Sequence, residues 1–132
     1  AYGMTGDPER RNPAQKAIDF IVDAQDPQRG GWRYKPRAFS DTSVTGWCIM
    51  AYESGEFFGL TINKEALKLC ATWLDQVSDP TGLHGYTKQG ERSSRKPGDH
   101  ATRFPVEKGE AMTAVGLGTG AAPACAVGTS SG

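Results

Sequence analysis

The feature that most constrains the fold of this 132-residue chain is a pattern that occurs twice, 53 positions apart. Each copy is an amphipathic segment that runs into an Asp-Pro pair, Asp26-Pro27 in the first and Asp79-Pro80 in the second. The first copy reads FIVDAQDPQRGGWRY and the second reads WLDQVSDPTGLHGYTK. Because an Asp-Pro pair ends a helix, the pattern predicts two helices that end in similar turns.

A glycine and an aromatic residue follow each Asp-Pro pair. Gly31-Trp32 in the first copy corresponds to Gly85-Tyr86 in the second if the second copy carries one extra residue. Helix, turn, glycine and aromatic ring therefore recur in the same order. Such recurrence is typical of proteins built from helical repeats.

Hydrophobic periodicity predicts how the helices alternate. Residues 13–25 and 63–77 are amphipathic, with apolar residues on one side and charged residues on the other. The middle of the helix predicted over 41–55 is apolar nearly all round, which is typical of a helix enclosed by others. Residues 109–117 predict a short fourth helix of small and apolar residues. The order amphipathic, enclosed, amphipathic, enclosed predicts about two hairpins, each with an outer and an inner helix.

Side chains that accept backbone hydrogen bonds precede three of these helices. Asn12, Asp41 and Asn63 are therefore predicted N-caps, and Gly55 a C-terminal stop. The resulting fold class is all-α. We expect a loose leader over residues 1–12, a repeat module over 13–117 and a flexible, low-complexity tail over 118–132.

Composition excludes several classes of partner and site. Lysine plus arginine equal aspartate plus glutamate at 15 each, so no overall field favours nucleic acid. The longest apolar stretch, residues 47–52, is far too short to cross a membrane, and nothing in the chain fixes its compartment. Three cysteines without metal-type spacing predict neither a disulfide framework nor a zinc site. We expect Cys48 and Cys70 to be small core residues.

The first copy resembles the QW repeat of squalene and oxidosqualene cyclases, and more broadly the repeats of protein prenyltransferase beta subunits. The residues that carry this resemblance are Lys16-Ala17, Phe20-Ile21-Val22, Gln25 and Gly30-Gly31-Trp32, followed by the segment SDTSVTGWCIMA. The resemblance implies an α/α toroid, in which outer and inner helices alternate around a cavity. Two hairpins are too few to close such a ring, so we expect a fragment of a longer toroid, a chain that oligomerises through its uncovered flanks, or a remnant held together by contacts with a partner.

The repeat residues have a structural role in this interpretation. Gln25 can hydrogen-bond backbone groups at the start of a following helix, and Trp32 can lie over the junction because Gly30 and Gly31 let backbones approach closely. Gly85 and Tyr86 are the corresponding residues of the second copy.

The family's catalytic groups match this sequence only in part. The cyclases protonate their substrate from an aspartate-rich segment, which here corresponds to residues 38–42, and Ser40 stands where the proton-donating aspartate is expected. Asp41 is the one catalytic candidate, and its alternative role is to cap the inner helix. The prenyltransferase zinc ligands correspond to Ser43 and Val44, so we predict no metal and no cofactor.

The sequence leaves two functions open. The first is a helical-repeat module that is not catalytic by itself and serves binding or assembly, by self-association or alongside further repeats of a longer chain. The second is part of a cyclase or transferase that acts on an apolar, isoprenoid-like ligand, with Trp47, Tyr52 and Tyr86 lining its pocket. The polar segment 87–110 is either a solvated connector or a site for a diphosphate or an acidic peptide.

Overall fold

The computed structural model describes residues 1–91, 99–103 and 112–113. Within these ranges the fold is all-α, which confirms the predicted class, and two isolated backbone bridges are the only β-type pairings. The helices are α1 (Tyr2–Thr5), a 3-10 turn (Pro8–Arg10), α2 (Arg11–Ala24), α3 (Thr42–Phe57), α4 (Lys64–Val77) and α5 (His100–Arg103).

Two of the three predicted N-caps are confirmed. The Asp41 side chain accepts a hydrogen bond from the backbone N–H of Val44 at the start of α3, at 2.8 Å. The Asn63 side chain accepts from the N–H groups of Glu65 and Ala66 at the start of α4. Each cap satisfies N–H groups that have no partner inside their own helix.

The prediction that Asn12 caps a helix is wrong. Helix α2 already begins at Arg11, because the 3-10 turn leads directly into it. Asp7 caps that turn by accepting from the Glu9 N–H at 3.0 Å. Gly55 likewise lies inside α3, which continues to Phe57.

The segment 1–12, expected as a loose leader, contains the short helix α1 and the 3-10 turn. Gly3 of α1 lies directly against the Phe58 ring, so close that a Cβ at this position would overlap the ring. The segment is therefore folded onto the end of α3.

Helix α3 packs against both α2 and α4. The side chains that form the core share nearly complete burial and come from all three helices and from the loop that follows α2. They are Ile18, Trp32, Ile49, Tyr52, Ala66, Cys70, Trp73, Leu74 and Val77. The middle one of the three long helices therefore packs against both of the others.

The remaining predictions fall largely outside the described residues. Of the predicted fourth helix, residues 112–113 are described and helical, and the Thr113 hydroxyl accepts a hydrogen bond from the His84 N–H at 3.0 Å. The predicted tail, residues 118–132, lies outside the described ranges. None of the described helices has the length and apolar character needed to span a membrane.

Candidate functional site

Asp41, the one catalytic candidate, is completely buried at the point where the chain enters α3. Its backbone is extended, and its N–H donates to the Trp32 carbonyl at 2.9 Å. Its Oδ1 atom caps the helix through the Val44 N–H. A carboxylate at a helix N-terminus also lies at the positive end of the helix dipole. One oxygen of Asp41 therefore has a structural task.

The second carboxylate oxygen, Oδ2, faces the Arg33 guanidinium, with the Nε atom 3.6 Å away. Oδ2 is buried and accepts no hydrogen bond from the described residues. Tyr86 is also close: burial, a hydrogen bond with Tyr34 and the charge of Asp41 raise the pKa of Tyr86 to about 12. The Asp41 carboxylate is thus a helix cap paired with a partly exposed guanidinium.

Ser40, which occupies the position of the family's proton donor, is also completely buried. Its hydroxyl donates to Oδ2 of Asp26 at 3.0 Å. The other oxygen of Asp26 accepts from the N–H groups of Gln28 and Arg29, at 2.9 and 3.2 Å. Ser40 and Asp26 together tie the entry of α3 to the turn that ends α2.

The residues predicted as joints connect the α2 turn to α4. Gln25 is buried, and its Nε2 donates to the carbonyls of Gly30 at 2.7 Å and Ala66 at 2.8 Å. Ala66 belongs to the first turn of α4. The glutamine thus links the end of one outer helix to the start of the next.

Trp32 holds the same turn against α2 and α3. Its indole Nε1 donates to the Ile21 carbonyl at 2.7 Å, and its backbone N–H donates to the Thr45 hydroxyl at 2.9 Å. The ring lies 6.1 Å from the Tyr52 ring, centroid to centroid, and is 2% exposed. Gly31 beside it lies so close to Ser40 and Thr45 that a Cβ has no room there.

The second copy of the repeated pattern contacts Thr42, the first residue of α3. The Thr42 N–H donates to the Tyr86 carbonyl at 2.9 Å, and the Thr42 hydroxyl donates to the Gly85 carbonyl at 2.7 Å. The second Gly-aromatic pair therefore satisfies a donor at the N-terminus of the central helix.

The three rings predicted to line a pocket lie in different environments. Trp47 is 69% exposed on α3, whereas Tyr52 is completely buried in the core and Tyr86 is half-buried. Burial, reinforced by the nearby Cys48 thiol, raises the pKa of Tyr52 to about 12. Tyr52 is thus a core residue, and Trp47 is the ring that is open to a ligand or partner.

The described thiols are poorly suited to metal binding or nucleophilic chemistry. Burial, followed by the charge of Asp41, raises the pKa of Cys48 to about 11. Burial likewise raises the pKa of Cys70 to about 12. Both are thiols, not thiolates, at neutral pH, and the thiolate is the reactive form. The described residues contain no group of three His, Cys, Asp or Glu side chains that is arranged to hold a metal.

Comparison with models of protein families, with curated proteins and with solved structures finds no match for this chain. The resemblance to the cyclase and prenyltransferase repeats therefore stays a prediction.

Several partners of the site residues were missed from the sequence. Arg33 lies eight positions before Asp41, and Thr42 contacts residues more than forty positions later. No local spacing predicts either contact. One missed signal is visible in the sequence: the loop between Asp26 and Asp41 holds four cations and no acidic residue.

Proposed function

We propose that this chain is a helical-repeat module that works by assembly, with one face of α3 packing against a second copy of the chain. The observation that carries this proposal is the exposure of three large apolar side chains on α3. Trp47 is 69% exposed, Met50 is 43% exposed and Phe57 is 82% exposed.

The spacing of these residues places them on one side of the helix. Positions three or four apart are neighbours on an α-helix, so 47, 50, 54 and 57 form one stripe along α3. We call Trp47, Met50 and Phe57 the α3 apolar face. The side chains of Thr45, Ile49 and Tyr52 are buried. Helix α3 therefore contributes to the core on one side and presents apolar surface on another.

Exposed apolar groups of this size favour a partner. Scattered single apolar residues are normal on a protein surface, but a tryptophan, a methionine and a phenylalanine on one helical stripe, interrupted only at Ser54, are typical of an interaction site. In a row of helical hairpins, each inner helix is covered by the next. The Gln25 link between α2 and α4 supports the interpretation as such a row.

The test is the molar mass in solution, measured by light scattering during size-exclusion chromatography over a range of concentrations. The measured molar mass of the wild-type protein is expected to increase with protein concentration. The double variant Trp47→Gln, Met50→Gln is expected to stay monomeric at the same concentrations, because both changes remove apolar area from the contact.

Phe20→Gln is the matched control. Phe20 is 62% exposed on α2 and does not belong to the α3 apolar face. This variant should associate like the wild type. A wild-type chain that is monomeric at every concentration, or a double variant that associates unchanged, would contradict the proposal.

A second candidate is the binding of an apolar, isoprenoid-like ligand by the same face, and the exposed Trp47 ring favours it. Titration with the isoprenoid alcohol farnesol, followed by tryptophan fluorescence, separates the two candidates. Saturable binding with one alcohol per chain, unaffected by protein concentration, would favour the ligand. If farnesol does not bind and the molar mass of the protein rises with its concentration, assembly is favoured.

A further inference from the structure

The loop between α2 and α3 has a charge unlike that of the whole chain. Between Asp26 and Asp41 it carries Arg29, Arg33, Lys35 and Arg37 and no acidic residue, although the chain as a whole is balanced at 15 charges of each sign. Arg33 pairs with Asp41, as described above. The other three cations are exposed.

Two of these cations border one cleft. Arg29 and Arg37 line a surface cleft of about 240 Å³, together with Phe39 and the turn that begins at Asp26. Neither guanidinium lies within 4.0 Å of a carboxylate of the described residues. Two arginines that have no acidic partner among the described residues, at one cleft, are suited to an oxyanion, because guanidinium groups bind carboxylate and phosphate through paired hydrogen bonds.

The cleft is held in shape by contacts on both sides. The guanidinium carbon of Arg29 lies 5.7 Å from the centre of the Phe39 ring, within the range of cation-π attraction. The Arg37 backbone N–H donates to the Ala24 carbonyl at the end of α2, at 2.8 Å. A ligand therefore meets an Arg37 backbone and an Arg29 side chain that are already held in place, which lowers the entropy lost on binding.

Asp26 is the one acidic residue among the described residues that line the cleft, and its oxygens already accept hydrogen bonds. It is 6% exposed, and its oxygens accept from the Gln28 and Arg29 N–H groups and from the Ser40 hydroxyl. Its carboxylate thus fixes the turn, while the arginine side chains provide the exposed charge.

We propose that this cleft binds an aromatic phosphomonoester. The phosphate lies between Arg29 and Arg37, and the aromatic ring of the ligand packs on Phe39, which is 65% exposed. A phosphate is favoured over a carboxylate because it carries nearly two negative charges at neutral pH for two cations. The site shares no residue with the α3 apolar face, so this proposal can be tested independently of the proposed assembly.

The proposal is tested by calorimetric titration with phenyl phosphate and with inorganic phosphate at constant ionic strength. Phenyl phosphate is expected to bind more tightly, because it alone reaches Phe39. The variant Arg29→Gln, Arg37→Gln is expected to weaken phenyl phosphate binding at least about tenfold, the effect of losing a charge-assisted hydrogen bond. Phe39→Leu is expected to weaken phenyl phosphate and leave inorganic phosphate unchanged.

The matched control is Lys64→Gln, Lys68→Gln, which removes two exposed charges from α4 and should bind like the wild type. Arg29→Lys keeps the positive charge but loses the planar guanidinium group, and it provides a milder variant if the double arginine variant does not fold. Phenyl phosphate and a short phosphotyrosine peptide distinguish a free ligand from a modified side chain, and saturable binding of either supports the site. No saturable binding, or arginine variants equal to the lysine control, would overturn it.

Discussion

The two Asp-Pro turns have the same local structure but very different surroundings. In each turn, Oδ1 of the aspartate accepts a hydrogen bond from the backbone N–H two residues later. The donor is Gln28 in the first turn, at 2.9 Å, and Thr81 in the second, at 2.8 Å. Each turn also contains a glycine with left-handed backbone, Gly30 with φ 84° and Gly82 with φ 86°. The repeated sequence thus specifies a repeated turn.

Burial separates the two turns. Gly30 lies against the Leu69 carbonyl of α4, so a Cβ there would overlap the backbone of that helix. Among the described residues other than its two chain neighbours, none has an atom within 4 Å of the position that a Cβ on Gly82 would occupy. The first turn is therefore a joint between helices, whereas the tip of the second is open. The second copy makes its joint three residues later, where Gly85 accepts the Thr42 hydroxyl.

The largest expected effect on stability comes from replacing Trp32, the aromatic residue that follows the first turn. Trp32→Ala should lower the free energy of unfolding by about 3–5 kcal/mol, because it leaves a cavity among α2, α3 and Tyr52. The corresponding change in the second copy, Tyr86→Ala, should have a smaller effect because Tyr86 is half-buried. Urea unfolding followed by circular dichroism measures both.

Trp32→Phe is the control for this comparison. It keeps most of the apolar area and loses the hydrogen bond to the Ile21 carbonyl. Its stability should fall between the wild type and Trp32→Ala. If Trp32→Ala and Tyr86→Ala lower the free energy of unfolding equally, the two copies are equivalent joints and the comparison is wrong.

The glycine pair gives the next largest effect and isolates burial from backbone conformation. Gly30→Ala and Gly82→Ala introduce the same left-handed strain, worth about 1–2 kcal/mol each. Gly30→Ala adds the overlap with α4, for a total loss of about 2–5 kcal/mol in the free energy of unfolding. The same urea titration measures the difference. If Gly82→Ala proves as harmful as Gly30→Ala, the open tip of the second turn is in contact with something else.

The parts of the fold predicted correctly depend on local sequence. The periodicity of 63–77, the caps Asp41 and Asn63, and the repeated turns are all encoded within a few positions, because helix spacing and caps act over one turn of helix. Helix α1 was missed because it is short and its contact with Phe58 lies more than fifty positions away.

The candidate site was less predictable for the same reason. The position of Asp41 at the start of α3 was clear from the sequence, but its partner Arg33 comes from the loop that folds back over it. The exposure of Trp47 was missed because an all-apolar helix predicts burial on every side, whereas the described residues cover α3 only in part. Sequence reports how apolar a helix is, and packing decides which face remains uncovered.

The smallest expected effect is a pH dependence at Asp79, the aspartate of the second turn. Hydrogen bonds from Thr81, first from its hydroxyl and also from its N–H, lower the pKa of Asp79 from its ordinary value of 3.8. A carboxylate with a lowered pKa in the folded state stabilises the protein above its unfolded pKa, and this stabilisation is lost as the pH falls through the folded value. Asp79→Asn keeps an acceptor oxygen and loses the charge. The difference in urea midpoint between wild type and Asp79→Asn should therefore be present at neutral pH and shrink below about pH 4. A difference that is the same at both pH values would show that the Asp79 charge contributes nothing, and that the open turn depends on hydrogen-bond geometry alone.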